Sequence, residues 1–337
     1  MVSVKDIAAR CHVSVATVSK ALNGYSDISE SKRKLIKDTA QEMGYFPNAA
    51  AIALKTNRSY NIGILFEDAA GNGFTNEYYA QLLQAIKQEA ESRGYDITFI
   101  YNKIGGRQVT YLEHCRYRGV DGVVMVCIDY NLPEVAELIK SELPVVTIDH
   151  VFDNAMSVSS DNGRGISELV KYVYDMGHRK IAFIYGDETS VTRDRLTGFY
   201  RTIDELGVVV PDQYVLQSSY RNPDKSKDCT AKLLDLKDPP TCILYPDDFA
   251  AIGGINEIKA RGLRIPEDIS VVGYDGISYS KVMEPSLTTV EQDTSKLGKT
   301  AAANLIRLIE KPKTTSLSRE IIQGHVLIGK SVSRLKF

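Results

Sequence analysis

Ser14-Val15-Ala16-Thr17-Val18-Ser19-Lys20-Ala21-Leu22-Asn23 carries side chains suited to reading a surface rather than to breaking a bond. Ser14 is a good N-cap, and Val15, Val18 and Leu22 recur at i, i+3 and i+7 with Ala21 beside them, which predicts a short amphipathic helix. The first residues of such a helix can meet base edges in the major groove of DNA. Here they are Val15, Ala16 and Thr17, with Lys20 one turn on. Val15 and Ala16 offer only apolar contacts, for example to a thymine methyl, so hydrogen-bonded readout must come from elsewhere.

Positioning that helix requires neighbours, and the flanking residues predict them. Ser3 and Asp6 have the form of a capping box ahead of Val4, Ile7 and Ala8, so a first helix begins near Val4 and is broken by Cys11-His12-Val13. Together the two helices read as a helix-turn-helix. Ser29 is expected to cap a third helix over Glu30 to Met43, where Leu35, Ile36, Thr39, Ala40 and Met43 form an apolar stripe that can close a three-helix core, and Gly44 ends it. Asn48 is a plausible N-cap for a further segment, 49–55. That segment is only about two turns long, so it should be helical only when something holds it. Residues 1–60 hold nine basic and five acidic residues, net +4, while the remainder holds 32 and 38, net −6. A total of −2 therefore hides a basic head on an acidic body. Local Lys and Arg excess is the footprint of phosphate contacts, although a solvated charged face gives the same excess.

Beyond residue 60 the pattern changes to apolar runs alternating with amphipathic stretches. Strands are predicted at Ile62–Phe66, Ile97–Tyr101, Val123–Ile128, Pro144–Ile148, Lys180–Tyr185, Thr241–Tyr245 and Ile269–Val272. Helices are predicted at Tyr78–Ser92, Leu132–Lys140, Ile166–Tyr174, Arg195–Leu206 and Ala250–Ala260. This alternation implies parallel sheets covered on both faces, and the length favours two lobes over one sheet. Five cysteines, at 11, 115, 127, 229 and 242, form no C-x-x-C pair and read as reduced, mostly buried thiols. No nucleophile elbow, Walker loop or dinucleotide Gly motif is present, the histidines are scattered, and no apolar run of about 20 residues or signal peptide is seen. These observations lead to the expectation of a non-enzymatic cytoplasmic protein with no cofactor and no metal site.

Lys5-Asp6-Ile7-Ala8, Val13-Ser14-x-x-Thr17-Val18-Ser19-Lys20-x-Leu22-Asn23, Gly44-Tyr45-x-Pro47-Asn48 and Ala51-x-x-Leu54 resemble the lactose-repressor/galactose-repressor (LacI/GalR) family of bacterial transcription regulators. The resemblance continues through the whole chain. It implies an all-α headpiece (1–46), a hinge helix and linker (47–60), and an α/β periplasmic-binding-protein-like core (61–337). The implied N-lobe spans about 61–160 and 293–322, and the C-lobe about 162–290 and 324–337, with crossings near Ser160-Asp161, Glu291-Gln292 and Gln323. It places Val15, Ala16, Thr17, Lys20, Asn23, Ser29, Asn48, Ala51, Leu54 and Lys55 at the DNA, with Leu54 as a minor-groove wedge from a hinge that folds on the operator. Some residues depart from the family pattern. Cys11-His12 replaces Ala-Gly in the turn, so His12 is expected in a backbone conformation that Gly adopts more cheaply. Ile52 stands where Arg is frequent, and Lys32 where Thr is usual.

The resemblance also places an effector against Arg195, Asp247 and Asp275, with Asp149 and Phe66 as weaker candidates for the opposite wall. Carboxylates accept from neighbouring hydroxyls and a guanidinium donates a fork, which suits a polyol. Asp247 and Asp275 would repel a phosphate or carboxylate, so a neutral sugar is favoured over a nucleoside. Asn is usual where this chain has Asp247, and Asp161-Asn162 is expected to cap the next helix rather than touch ligand. The implied protein is a homodimeric, effector-responsive repressor of carbohydrate-utilisation genes on palindromic operator DNA, without membrane association. The competing reading is a cytoplasmic sugar- or nucleoside-binding protein whose helical head docks another protein. Linkage through lobe movement would couple ligand to hinge pairing, with its sign open between induction and corepression.

Overall fold

The computed structural model describes residues 2–46, 53, 56–68 and 73–335. The chain divides into two compact units, 1–59 and 60–337. In the first, α1 (Val4–Arg10) starts at a complete Ser3/Asp6 capping box, and α2 (Val15–Leu22) starts where the Ser14 hydroxyl accepts from Thr17 N–H. α3 (Glu30–Glu42) closes a small core of Ile7, Ala8, Val18, Ala21, Ile36 and Ala40. Ser29 occupies the N-cap position of α3, yet its side chain makes no capping bond; its hydroxyl faces Ser31 instead. The guanidinium of Arg33 organises this entry, donating to the carbonyls of Tyr25 and Ile28. The hinge residues Asn48, Ala51, Leu54 and Lys55 lie outside the described residues.

The second unit is built on two parallel sheets. The first contains β1 (Asn61–Phe66), β2 (Asp96–Ile100), β5 (Gly122–Val126), β6 (Val145–Ile148), β7 (Met156–Ser160) and β13 (Arg319–Ile322), in the order β13-β7-β6-β5-β1-β2. β3 (Lys103–Ile104) and β4 (Arg107–Gln108) form a separate short hairpin. Helices α4 (Glu77–Ser92), α5 (Tyr111–Arg118) and α6 (Pro133–Lys140) connect these strands. Every residue of β5 is buried, as expected for a central parallel strand covered on both faces. The second sheet has the order β11-β10-β8-β9, from β8 (Ile181–Tyr185), β9 (Val215–Gln217), β10 (Cys242–Leu244) and β11 (Ser270–Val272). It is connected by α7 (Asn162–Asp175), α8 (Ser190–Glu205), α9 (Pro223–Leu234) and α10 (Asp248–Ala260).

After the short α11 (Ser278–Val282), β12 (Thr289–Glu291) leads to α12 (Thr294–Glu310), whose Leu297, Ala301, Leu305 and Ile306 enter the core of the first sheet. β13 joins that sheet beside β7, and β14 (His325–Leu327) pairs antiparallel with β12. The chain therefore passes between sheets after Ser160, after Glu291 and after Ile322.

The predicted strands and helices of both sheets are present, with ends displaced by a few residues. Strands β3, β4, β7, β9, β12, β13 and β14 and helices α5, α9, α11 and α12 were not anticipated. β7, Met156-Ser157-Val158-Ser159-Ser160, is mostly hydroxylic yet largely buried between β6 and β13.

Glycine sets one interhelical spacing that matters for the site. A Cβ on Gly198 of α8 would stand 2.3 Å from the carbonyl oxygen of Gly163 in the first turn of α7. Gly198→Ala must separate these helices and should cost about 1–3 kcal/mol, the usual cost of overpacking. Urea unfolding checks this; an unchanged midpoint would mean that the contact is not close in solution.

Candidate functional site

On the headpiece, Val15, Ala16, Lys20 and Asn23 are exposed on or beside α2, as an interface requires. Thr17 is half-buried, and its hydroxyl is engaged with Ser14 Oγ at 2.8 Å. The Lys20 ammonium pairs with Asp27, which raises the affinity of the lysine for its proton and lowers that of the aspartate. The Asn23 amide turns back to the Ser19 carbonyl. His12 adopts φ +54, the left-handed conformation expected from the missing glycine.

The core cleft is organised by Arg195 in α8, which is only 4% exposed. Its Nε donates to Asn162 Oδ1 at 2.8 Å and its Nη1 to the Pro246 carbonyl at 2.7 Å. Nη2 lies 3.9 Å from Asp275 Oδ1, and the guanidinium rests 3.5 Å above the Tyr274 ring. Asp275 follows β11 at φ +110 and accepts from Gln292 Nε2 at 2.7 Å. Burial pushes the Asp275 carboxyl up to about 7, an effect that Asp247 reinforces and Arg195 opposes.

Asp247 is 2% exposed and caps α10, accepting from Ala250 N–H at 2.8 Å and Arg221 N–H at 2.7 Å. Burial raises its carboxyl too, against those two donors. Asp247 and Asp275 share the wall of a cavity of about 440 Å³ with Arg221, Phe249, Glu77 and Ser278, among others.

The two candidates from the other lobe are placed differently. Asp149, at φ +56, accepts from Ser160 N–H and from the Tyr78 hydroxyl, and burial raises its carboxyl. Phe66 packs on Phe74 and Tyr79. Neither belongs to the lining of this cavity. Asp161 caps α7 as expected, but Asn162 does more than follow it, since its side chain holds Arg195.

Several residues at the cleft escaped the reading of the sequence. Gln292 is 7% exposed, and its Oε1 is buried beside Asp275 without a hydrogen-bond partner among the described residues. Arg221 stands in a loop with no local motif. Asp248 accepts from Gly276 N–H, Ile277 N–H and the Thr289 hydroxyl, fixing the loop that carries Asp275. An acidic residue at a helix start, four positions past the apolar strand β10, was the available signal for Asp248. Nothing local marked Gln292 or Arg221.

A helix-turn-helix head joined to a two-lobed α/β core with a buried polar cleft defines a ligand-controlled DNA-binding protein. Residues 3–48 match the sequence profile of bacterial regulatory proteins of the lacI family, and residues 170–332 match that of a periplasmic binding protein-like domain. The chain is 31% identical to the HTH-type transcriptional repressor PurR of Aliivibrio salmonicida (strain LFI1238), over 99% of this chain and all of that one. It is 30% identical to the probable HTH-type transcriptional repressor ExuR of Bacillus subtilis (strain 168), over 99% of both chains. Its fold matches the lac repressor dimer bound to operator and the anti-inducer ONPF with a TM-score of 0.80 at 24% identity, covering 98% of this chain and 99% of that chain. The chain belongs to the lacI family of bacterial regulatory proteins, and it is a DNA-binding transcriptional repressor with an effector-binding core.

The elevated Asp275 carboxyl yields a pH test. Unfolded, this group ionises near its ordinary 3.8; folded, it holds its proton to about 7. Between those values the folded state binds more protons, so this group's contribution to stability falls as pH rises and levels off above the folded value. Relative to the wild type, Asp275→Asn should therefore gain stability from about pH 4 to about pH 7. Urea unfolding across that range checks it; parallel pH curves would contradict it.

Proposed function

We propose that this repressor acts as a homodimer on a palindromic operator and that a small neutral sugar in the interlobe cleft alters its operator affinity. Residues 1–46 form the DNA-reading head, 47–60 the hinge and 61–337 the effector-binding and dimerisation core. The lobes are formed by about 61–160 with 293–322, and by about 162–290 with 324–337. Val15, Ala16, Thr17, Lys20, Asn23 and Ser29 face the major groove or its phosphates. Asn48, Ala51, Leu54 and Lys55 serve the minor groove, where Leu54 splits the central base step.

The observation that carries the effector reading is the buried Oε1 of Gln292, without a partner among the described residues, beside the Asp275–Arg195 pair. A buried acceptor left without a donor is costly, and a ligand hydroxyl would satisfy it. The same set can hydrogen-bond a polyol, and the core is read as a sensor rather than an enzyme because the chain belongs to a family of regulatory proteins. Cytoplasmic placement follows from action on DNA; no helix among the described residues is long and apolar enough to cross a membrane. Support for a sugar comes also from the solved structure of a transcriptional regulator, CelR, in complex with cellobiose, which shares this fold at 24% identity with a TM-score of 0.70. Lobe movement by the ligand changes the separation of the two hinge segments and so biases their pairing.

Selection of bound duplexes from a random pool should recover a palindrome with a flexible pyrimidine–purine step at its centre. On that site, Leu54→Ala should weaken binding, and Lys20→Ala should both weaken it and lower the salt slope by about one. Asp275→Asn should keep DNA binding but lose the response to whichever neutral monosaccharide or disaccharide stabilises the wild type. Recovery of a non-palindromic site, or stabilisation by nucleosides alone, would overturn the corresponding part of this reading.

A further inference from the structure

Arg221 links the two lobes through contacts that the effector reading does not use. It lies in the loop between β9 and α9 at φ +54, a conformation that a non-glycine residue keeps only where its surroundings hold it. Its backbone N–H is tied to Asp247, but its side chain leaves that lobe. Nη2 reaches Oδ1 of Asp68 at 2.6 Å, Nη1 donates to the Tyr79 hydroxyl at 3.3 Å, and the guanidinium lies 5.0 Å from the Tyr79 ring centre. Asp68 follows β1 and Tyr79 belongs to α4, so both partners belong to the six-stranded lobe. The Asp68 side chain is fully buried, and its second oxygen accepts from Gly73 N–H at 3.0 Å. At the edge of the same cavity, Ser278 donates its N–H and its hydroxyl to Glu77 across the lobes, at 2.8 and 2.7 Å.

We propose that Arg221 and Asp68 form a clasp that closes the lobes independently of any effector. Losing the guanidinium would leave the Asp68 carboxylate buried without its cationic partner in the closed form, whereas opening would return that carboxylate to water. Stranding one member of a buried pair is far more costly than neutralising both. Each single neutral variant therefore favours the open form, and the double variant, which strands no charge, returns toward closure. The effector then acts on a core that is already shut, so it modulates closure rather than creating it. This last consequence rests on the effector reading above; the clasp itself does not.

Hydrogen exchange of the full chain, with neither effector nor DNA added, tests the clasp. Ser278 is the first residue of α11, a position whose N–H has no acceptor within its own helix, so its protection reports the bond to Glu77. Arg221→Gln and Asp68→Asn should each speed exchange at Ser278 by at least about tenfold, with β1 and β5 unchanged. The double variant should return to within roughly threefold of the wild type. Asp68→Asn preserves the side-chain shape and an acceptor for Gly73, and it keeps the test readable if Arg221→Gln does not fold. Unchanged exchange at Ser278 in the single variants, or additive effects in the double, would overturn the proposal. Because no ligand is used, failure of the effector reading leaves this result interpretable.

Discussion

A guanidinium held away from water is the constraint around which the core is arranged. Arg195 cannot remain charged and buried unless its N–H groups find acceptors, and it finds them on separate segments. Asn162 opens the helix that follows the first passage between sheets, Pro246 follows the strand before α10, and Asp275 follows the strand after it. The Tyr274 ring closes one face of the cation. Three strand-to-helix junctions are thus held to one side chain. The close approach of α7 and α8, permitted by the missing side chain of Gly198, lets that side chain reach the first of them.

Acidic groups around Arg195 divide by what they accept. Asp247 and Asp248 are consumed by backbone donors, which makes them parts of the frame. Through the Thr289 hydroxyl, Asp248 also fastens the Asp275 loop to the strand by which the chain returns to the other lobe. Asp275 shares that frame but retains a largely electrostatic relation to Arg195, with Gln292 as its hydrogen-bonded neighbour. Movement of the lobes therefore bears directly on the atoms that would meet a ligand, since Gln292 stands at a passage between them.

Much of this was legible in the residues themselves. One capping box, the Ser14 N-cap and helical spacing announced the head, apolar runs announced the parallel strands, and the Cys11-His12 departure foretold the left-handed residue that now stands there. Legibility failed where satisfaction comes from afar. Met156–Ser160 lacks the apolar pattern of a strand and owes its place to pairing with β6 and β13, and Ser29 resembles a cap but makes no capping bond, while Arg33 fixes the preceding loop through the Tyr25 and Ile28 carbonyls. Arg221 and Gln292 carry no local signature, since their meaning comes from residues more than fifteen positions away: Asp68 for the one and Asp275 for the other.

On the proposed assignment of Lys20 to the DNA-reading surface, its pairing with Asp27 gives the head its own counter-ion there. A lysine already neutralised adds less to the indiscriminate attraction of the phosphate backbone, which is the part of binding common to every sequence. Only a site whose groove presents an acceptor in the right place competes well with Asp27 for the ammonium. On that assignment the carboxylate lowers the residence of the protein on random DNA more than on its target, and a residue placed against no base contributes to the speed with which wrong sites are abandoned.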